Sequence, residues 1–226
     1  MSRSSQRIIL PGLPHYVSHS AHLEEPAFRE PTDYRVFLHL LAESCAQQRV
    51  GIWGYELNGH GYSLVLLPSQ VESLDAALSR LDTEYTCYYN LRHMVRRRVW
   101  DESYQSAAMC WSKVWDALVY AERVPVRNEK LGAAWAHPWS SAAARVGRAA
   151  APAWLEGEEW SRYWNQSQWM RRLQWFEGEA EFGRELNVAL ESGTAVGGLI
   201  NLPEVLPRKG PRKAASRGIS VVAAAG

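Results

Sequence analysis

Two hydrophobic periodicities alternate along the chain and predict a domain of mixed α and β structure. Polar and apolar residues alternate over His15 to Ser20 and again over Tyr55 to Pro68, which ends in the apolar run Leu64-Val65-Leu66-Leu67. A period of two is typical of β-strands, so we predict that Tyr55 to Pro68 is the central strand of a sheet. Apolar residues recur at helical spacing from about Tyr34 to Gln48 and from about Val71 to His93, which predicts two helices.

Weaker patterns predict the rest of the chain. A strand over Val50 to Leu57 either continues into the central strand or turns before it, with Gly59 and Gly61 near the break. The first helix is expected to be capped by Thr32 or Asp33. The other segments are a strand from Val99 to Gln105, a helix from Trp111 to about Arg123, a linker over residues 142–158, and one or two helices from Glu159 to Glu191.

The alternation within the predicted central strand decides which side chains share a face. Gly61 and Ser63 fall on one face, and His60 and Tyr62 fall on the other, because successive side chains of a strand point to opposite faces. A β-bulge at a neighbouring glycine would shift this register and bring His60 to the first face. A histidine flanked by glycines is more often a turn or surface residue than a metal ligand.

Composition and charge exclude several classes of protein. The net charge of +1 gives no global basic field, so any nucleic-acid surface must be local. Three widely spaced cysteines fit neither a disulfide framework nor a zinc site, and no long apolar run predicts a membrane span. We therefore expect a cytoplasmic protein without membrane association. Many of the 11 tryptophans lie in the last hundred residues, and we interpret them as helix packing rather than base stacking.

Local clusters of basic residues are the candidates for phosphate contacts. Three consecutive arginines follow the second predicted helix, and a Gly/Pro-containing basic stretch lies near the end of the chain. A charge run is usually a solvated loop, but these clusters are the best candidates that the sequence offers. The candidate DNA-binding residues are Arg92, Arg96, Arg97, Arg98, Arg127, Arg208, Lys209, Arg212 and Lys213.

The predicted central strand resembles that of the REP-associated tyrosine transposases, a branch of the HUH single-strand nuclease superfamily with an insertion-sequence transposase-like domain. In that family the strand reads roughly Tyr-x-Leu-Met-Pro-Asn-His-x-His-Leu-Leu-Leu-x-Pro. Aligned without a gap, this chain has Gly61 and Ser63 at the two histidine positions. Leu13 to Val17 resembles the first strand of the family, and His137-Pro138-Trp139-Ser140-Ser141 resembles its Tyr-Pro-Trp-Ser-Ser.

The resemblance implies a nucleophile position and a degenerate metal site. The family helix Tyr-Val-x-x-Asn-Pro-Val-Arg aligns with Tyr120 to Arg127, which puts the nucleophile at Tyr120 and the third metal ligand at Val124. The family uses Mg²⁺ or Mn²⁺, but Gly61, Ser63 and Val124 do not make a ligand set, so we expect no metal cofactor. We interpret Tyr120 as a relic that serves packing. The alternative is a nucleophile that uses a rearranged metal site.

The resemblance also implies the fold and its division. We expect an α+β domain over residues 7–147, a ferredoxin-like antiparallel sheet with packed helices. A helical C-terminal extension is expected over residues 148–206, followed by a basic flexible tail over residues 207–226.

Three hypotheses about function follow. The leading one is a DNA-binding protein derived from a tyrosine transposase, catalytically inactive, that recognises single-stranded or hairpin DNA. The second is an active transposase or nickase with a rearranged metal site, which would cut DNA through a covalent phosphotyrosine. The third is a protein-interaction module that no longer binds nucleic acid, in which exposed tryptophans would mark the interface. A protein partner or a homodimer stays open in each.

Overall fold

The alternating segments form a four-stranded sheet, and the computed structural model describes residues 8–22, 26–101 and 103–197. The strands are β1 (His15–Ser20), β2 (Val50–Asn58), β3 (Gly61–Pro68) and β4 (Gln105–Ala108). The α-helices are α1 (Pro31–Gln47), α2 (Ser73–His93), α3 (Val114–Glu122), α4 (Val124–Asn128), α5 (Ala142–Arg145), α6 (Glu158–Tyr163), α7 (Gln166–Gln174) and α8 (Glu179–Ser192).

The order of the strands confirms the predicted fold class. The chain runs β1-α1-β2-β3-α2-β4, and the strands lie side by side in the order β2-β3-β1-β4. Every neighbouring pair is antiparallel. This is the ferredoxin-like arrangement of an α+β domain, in which two helices cross one face of an antiparallel sheet.

The segment predicted as one central strand is a hairpin. β2 ends at Asn58, β3 begins at Gly61, and the turn between them contains Gly59 and His60. Of the two strands of this hairpin, β3 is internal to the sheet, because it pairs with β2 on one side and with β1 on the other, whereas β2 is an edge strand. Period-two alternation continues through a tight turn, so the pattern alone did not place the break at these glycines.

The sheet separates two hydrophobic cores. Val17 of β1 and Leu64 of β3 pack with α1 and α2, whereas their neighbours Tyr16 and Val65 pack beneath α3. The alternation of side chains along each strand therefore supplies both cores. The second core also includes Trp169 of α7 and residues of α8, so the C-terminal helices cover the face of the sheet opposite α1 and α2.

The start of α1 differs from the prediction. Glu30 is the N-cap residue of α1, in extended conformation, and not Thr32 or Asp33. Asp33 takes the third helical position instead, where its carboxylate accepts hydrogen bonds from the backbone N–H groups of Arg29 and Glu30 at 2.8 and 3.2 Å. The Asp33 carboxylate that forms this half of the capping box is completely buried.

The strand predicted over Val99 to Gln105 is displaced towards the C-terminus. The fourth strand is Gln105–Ala108, and Trp100 makes only an isolated bridge with Ala21. Trp100 is buried among aromatic rings on the α1 and α2 side of the sheet. The apolar residues around Trp100 therefore reflect its burial in the core. They do not form a continuous ladder of strand hydrogen bonds.

The pentapeptide from His137 to Ser141 closes the outer edge of β2. Leu57 N donates to Trp139 O at 2.9 Å, and Ser141 N donates to Tyr55 O at 2.9 Å. His137 Nε2 lies 2.7 Å from Leu57 O and donates to it. The segment thus satisfies the backbone groups that an edge strand would otherwise expose.

The C-terminal part contains more helices than the sequence predicted. Three helices, α6, α7 and α8, replace the one or two expected from Glu159 to Glu191, and α5 lies within the predicted linker. Asn165 caps α7 in a reciprocal capping box with Gln168, which explains the break after α6. Within the described residues, no helix combines the length and the apolar character needed to span a membrane.

Candidate functional site

A polar cleft of about 310 Å³ lies where the end of β1 meets the start of β3, bounded also by α3, α4 and α8. It brings together all four positions that the resemblance singles out, Gly61, Ser63, Tyr120 and Val124. No aspartate or glutamate lines it among the described residues. The polar or charged side chains that line it are Tyr16, Ser18, His19, Ser20, Asn58, His60, Tyr62, Ser63, Gln105, Tyr120, Arg127, Asn128 and Asn187.

Gly61 cannot carry a side chain in this fold. Its φ is +148°, and a Cβ built there would lie 2.1 Å from the carbonyl oxygen of His19. The contact arises because Gly61 pairs directly with Ser20 across the β1–β3 ladder. The first metal position is therefore closed by backbone as well as lacking a ligand.

Ser63 takes part in a hydrogen bond inside the protein. The Tyr16 hydroxyl donates to Ser63 Oγ at 3.0 Å, and the serine is 8% exposed. Burial raises the pKa of Tyr16 to about 12, so its phenol keeps the proton that it donates. A neutral serine hydroxyl that already accepts a hydrogen bond is a poor ligand for a divalent cation.

His60 lines the cleft from the hairpin turn. Strand alternation predicts that His60 lies on the face opposite Gly61, but this holds only if both residues lie in one strand, and β3 begins at Gly61. The His60 side chain is exposed, and its backbone N–H donates to Asn58 Oδ1 at 2.8 Å. The third metal position, Val124, is 6% exposed and apolar. These residues do not fit the metal that the resemblance implies.

Tyr120 is packed between α8 and Arg127. Its ring makes an edge contact with Tyr16 at 6.0 Å and a tilted contact with Phe182 of α8 at 5.3 Å. A Cβ at Gly183 would lie 3.0 Å from the Tyr120 hydroxyl, so the backbone of α8 lies directly against that group. The Arg127 guanidinium carbon is 3.7 Å from the ring centroid. The phenol therefore lines the cleft as a side chain that is packed on several sides.

Arg127 belongs to an ion-pair network that attaches α8. Its Nη1 donates to Tyr120 O at 2.7 Å and to Glu179 at 2.8 Å, while Arg123 pairs with the same carboxylate at 2.9 Å. Burial opposes ionisation of Glu179, but the hydrogen bonds from Arg123 and Arg127 lower its pKa. Among the described residues, Arg127 is the one arginine that lines the cleft, so it supplies positive charge next to Gly61, Ser63 and Val124.

Glu56 is a buried acid near the cleft that the sequence analysis did not single out. It lies on β2 opposite Ser63, is completely buried and accepts hydrogen bonds from Asn58 Nδ2 at 3.1 and 3.2 Å. Burial raises its pKa to about 8. The carboxyl group is therefore mostly protonated at neutral pH, which removes it as an ionised metal ligand. In the sequence, the one feature that could have identified Glu56 is a glutamate at a position of β2 where the alternation predicts a buried side chain.

Protonation of Glu56 should make stability depend on pH. Its folded pKa of about 8 lies above the ordinary 4.5, so its contribution is fully present below about pH 4.5 and is lost as pH rises through 8. We expect the free energy of unfolding to fall by about 2 kcal/mol between about pH 6.5 and 8. Urea unfolding of Glu56→Gln should lack this fall, whereas Glu191→Gln, on the exposed side of α8, should keep it.

The buried His15 defines the lower limit of that window. Burial lowers its pKa to about 4, below the ordinary 6.5, so its contribution is present above about pH 6.5 and is lost as pH falls towards 4. Between these values His15 opposes the trend of Glu56, and above them Glu56 acts alone. An unchanged slope in Glu56→Gln between pH 6.5 and 8 would show that this carboxyl is not the titrating group.

The other predicted arginines within the described residues lie at or just after the C-terminal end of α2, and they differ in their contacts. Arg97 packs over the Tyr89 ring at 4.9 Å, and Arg92 pairs with Glu30 at 3.0 Å. Arg96 and Arg98 are exposed. The remaining candidates, Arg208, Lys209, Arg212 and Lys213, lie outside the described residues.

One cluster in the described part of the chain has the geometry to hold a metal, but its atoms are already engaged. It consists of Glu30, Asp33 and His93. His93 Nε2 lies 3.1 Å from both Asp33 oxygens, and the Tyr88 hydroxyl donates to Asp33 Oδ1 at 2.9 Å. This carboxylate also holds the capping hydrogen bonds of α1, so the cluster is a structural network.

Most C-terminal tryptophans are half-buried or buried and pack against the two cores. Trp169 is fully buried and makes edge contacts with Trp160 at 5.9 Å and Trp164 at 5.4 Å. Its indole N–H donates to Glu122 at 2.8 Å. Trp175, which is 71% exposed, is the one large tryptophan surface among the described residues. The hypothesis of a tryptophan-lined protein interface thereby loses most of its basis.

Comparison with known proteins gives one line of support, at the level of the fold. No family model and no curated protein matches the chain. A solved structure described as a REP-associated tyrosine transposase bound to a REP hairpin is similar over 70% of this chain and 93% of its own, with a TM-score of 0.57. The sequence identity is 14%, so the likeness shows a shared fold. The chain is thus similar in fold to the family whose motifs its sequence resembles.

Proposed function

We propose that this protein binds single-stranded or hairpin DNA and does so without a divalent metal and without cutting it. The observation that carries the proposal is the polar cleft, which brings together the four positions singled out by the resemblance and contains no carboxylate among its described lining residues. Two histidines line the cleft, but His19 Nδ1 lies 3.1 Å from Asp82 Oδ2 and His60 lies exposed on the hairpin turn, so they do not make a ligand set with the other lining residues. Hydrogen-bond donors and a cation suit a polyanion instead.

The lining of the cleft fits a nucleic-acid strand. Arg127 supplies a charge for a phosphate, and its Nη2 and Nε have no hydrogen bond to any described residue. Ser18, Gln105, Asn128 and Asn187 likewise donate no side-chain hydrogen bond within the described part of the protein. Such neutral groups can bind base edges and sugars.

The same residues argue against strand cleavage. Attack by a tyrosine on a phosphodiester requires a polarised phosphate and a phenol that is free to approach in line. Gly61 is closed by the His19 carbonyl, and the Tyr120 hydroxyl lies against α8. The proposal accordingly treats Tyr120 as a packing residue and assigns the protein no metal cofactor.

Binding of a labelled DNA hairpin with a single-stranded extension tests the proposal. We expect affinity to fall about 20- to 40-fold between about 50 and 200 mM salt, because about three phosphate contacts release counterions. Affinity should be the same with Mg²⁺, with Mn²⁺ and with EDTA. A denaturing gel should show no covalent adduct, and Tyr120→Phe should bind as the wild type does.

Two results would contradict the proposal in different ways. A metal-dependent adduct that Tyr120→Phe abolishes would establish the active transposase or nickase of the second hypothesis. No binding of hairpin or single strand at low salt would remove DNA as the ligand and direct attention to a protein partner.

Asn128→Ala, which changes the cleft without touching the Glu179 network, should weaken binding while keeping wild-type thermal stability.

A further inference from the structure

The end of α2 exposes an apolar surface that the fold does not use. Leu91 is 76% exposed and Met94 is 93% exposed, three residues further along the chain. Met94 is the C-cap of α2 and has φ 52° and ψ 43°, a left-handed conformation that favours glycine or asparagine. The sequence therefore places a large apolar side chain in solvent at a position where the backbone would favour a small residue.

Arginines flank these two side chains. Arg92 pairs with Glu30 at 3.0 Å, and Arg98 Nη2 donates to Asp101 O at 3.2 Å. Arg96 forms no ion pair with any residue that the structure describes. We call Leu91, Arg92, Met94, Arg96 and Arg98 the α2 tip. It combines two exposed apolar side chains with three cations, and this combination is suited to a partner that is both anionic and apolar.

The backbone of the α2 tip is held firmly in place. Arg97 stacks over Tyr89 and donates to its hydroxyl at 2.9 Å, and Asn90 bonds the Arg97 backbone at 3.0 and 3.2 Å. The loop after α2 is thus anchored from the inside by a residue that the sequence analysis had assigned to DNA. Its neighbours Arg96 and Arg98 are exposed.

The α2 tip and the polar cleft lie at the same end of the sheet. Directly after the tip, Asp101 N donates to Ser20 O at 2.9 Å, and Val99 O accepts from His22 N at 2.7 Å. Ser20 ends β1 and lines the cleft. A nucleic acid that spans this end of the molecule can therefore contact both surfaces.

We propose that the α2 tip binds the duplex stem of a DNA hairpin while the adjoining single strand enters the polar cleft. Exposed apolar side chains such as Met94 and Leu91 can press against the faces or edges of base pairs, and flanking arginines can bind the phosphates on either side. The inference rests on the proposed function and adds the surface that distinguishes a hairpin from an unstructured strand. Charge complementarity favours a polyanion over an uncharged apolar partner.

Substitution of Met94 by glycine tests the wedge without harming the fold. Glycine suits the left-handed C-cap, so the thermal midpoint of Met94→Gly should equal or exceed that of the wild type. We expect hairpin affinity to fall roughly tenfold, while a single strand of the same extension sequence binds as before. Arg96→Ala should remove about one phosphate contact, so the slope of log affinity against log salt concentration for the hairpin should fall by about 1.

Val188→Ala is the matched control, because Val188 is an apolar residue on α8 that is 63% exposed. It should leave hairpin and single-strand affinities unchanged. Wild-type hairpin affinity in Met94→Gly and Arg96→Ala would overturn the assignment of the α2 tip and leave the proposed function standing. If the wild type binds neither DNA, the proposed function itself fails. A last experiment measures binding to vesicles of anionic phospholipid. If Met94→Gly weakens vesicle binding and leaves hairpin affinity unchanged, the α2 tip binds a membrane surface instead.

Discussion

Replacement of Gly61 by histidine is expected to destabilise the protein by about 3 kcal/mol or more and to leave it without a metal site. The histidine would restore the residue type that the transposase pattern has at this position. Its Cβ, however, would lie 2.1 Å from the His19 carbonyl oxygen, and its backbone would need a φ of +148°. The β1–β3 pairing must therefore open before the side chain can be accommodated.

Urea unfolding of Gly61→His and Gly61→Ala would separate the two causes of instability. Both variants should lose similar stability, because the clash begins at Cβ. Gly132→Ala is the matched control, since a Cβ at Gly132 meets no atom within 4 Å. Titration with Mn²⁺ followed by calorimetry should show no stoichiometric binding. A Gly61→His variant with wild-type stability and tight Mn²⁺ binding would refute the interpretation of a closed position.

Replacement of Arg145 by methionine is expected to cost about 3–5 kcal/mol of stability, because it leaves the Glu122 carboxylate buried without its cation. Both residues are almost wholly buried, and Arg145 Nε donates to Glu122 Oε1 at 2.9 Å. Burial lowers the pKa of Arg145, and the ion pair with Glu122 opposes this effect. Glu122 also accepts from Ser141 Oγ at 2.6 Å and from Trp169 Nε1 at 2.8 Å.

The double variant Glu122→Gln with Arg145→Met should recover a large part of that loss, because it removes the unpaired charge. Arg162→Met serves as the control, since Arg162 is 57% exposed and pairs on the surface with Glu158 and Glu159. Its cost should stay below about 1 kcal/mol. Equal losses from Arg145→Met and Arg162→Met would show that the Glu122 network does not hold α3, α5 and α7 together.

These two variants address different parts of the same architecture. Gly61 determines what the cleft can contain, and Glu122 lies on α3, two residues after Tyr120. The network around Glu122 joins α3 to α5 and α7, while Glu179 joins α8 to Arg123 and Arg127. Helix α8 therefore contacts the residues of the cleft in two ways, through the ion pair of Glu179 with Arg127 and through the contact of Gly183 with Tyr120.

Local sequence patterns determined much of the fold. The bounds of β1 agree with the alternation from His15 to Ser20, and α2 begins within two residues of the predicted start and ends at His93. These elements are long or strongly periodic, and each buries one face, so the pattern of a few neighbouring residues suffices. The antiparallel α+β class followed from their order, and the resemblance gave the ferredoxin-like topology that the structure has.

The candidate site was only partly predictable. The alignment of Gly61, Ser63, Tyr120 and Val124 identified positions that the structure brings to one cleft. The sequence did not reveal the partners of Tyr120, because α8 and Arg127 reach it from distant parts of the chain. Nor could it distinguish the arginines at the end of α2, of which Arg97 is an internal anchor and Arg96 is exposed.

By itself, the sequence determined the residue types at each position, and hence that Gly61, Ser63 and Val124, which the resemblance aligns with metal ligands, do not make a ligand set. Tertiary structure decided what surrounds these positions. The break at Gly59 and His60, the closure of Gly61 by β1 and the protonation of Glu56 all depend on strands that meet only after folding. Periodicity reports which side of an element is buried, whereas the contacts that close a site depend on what is packed against that side.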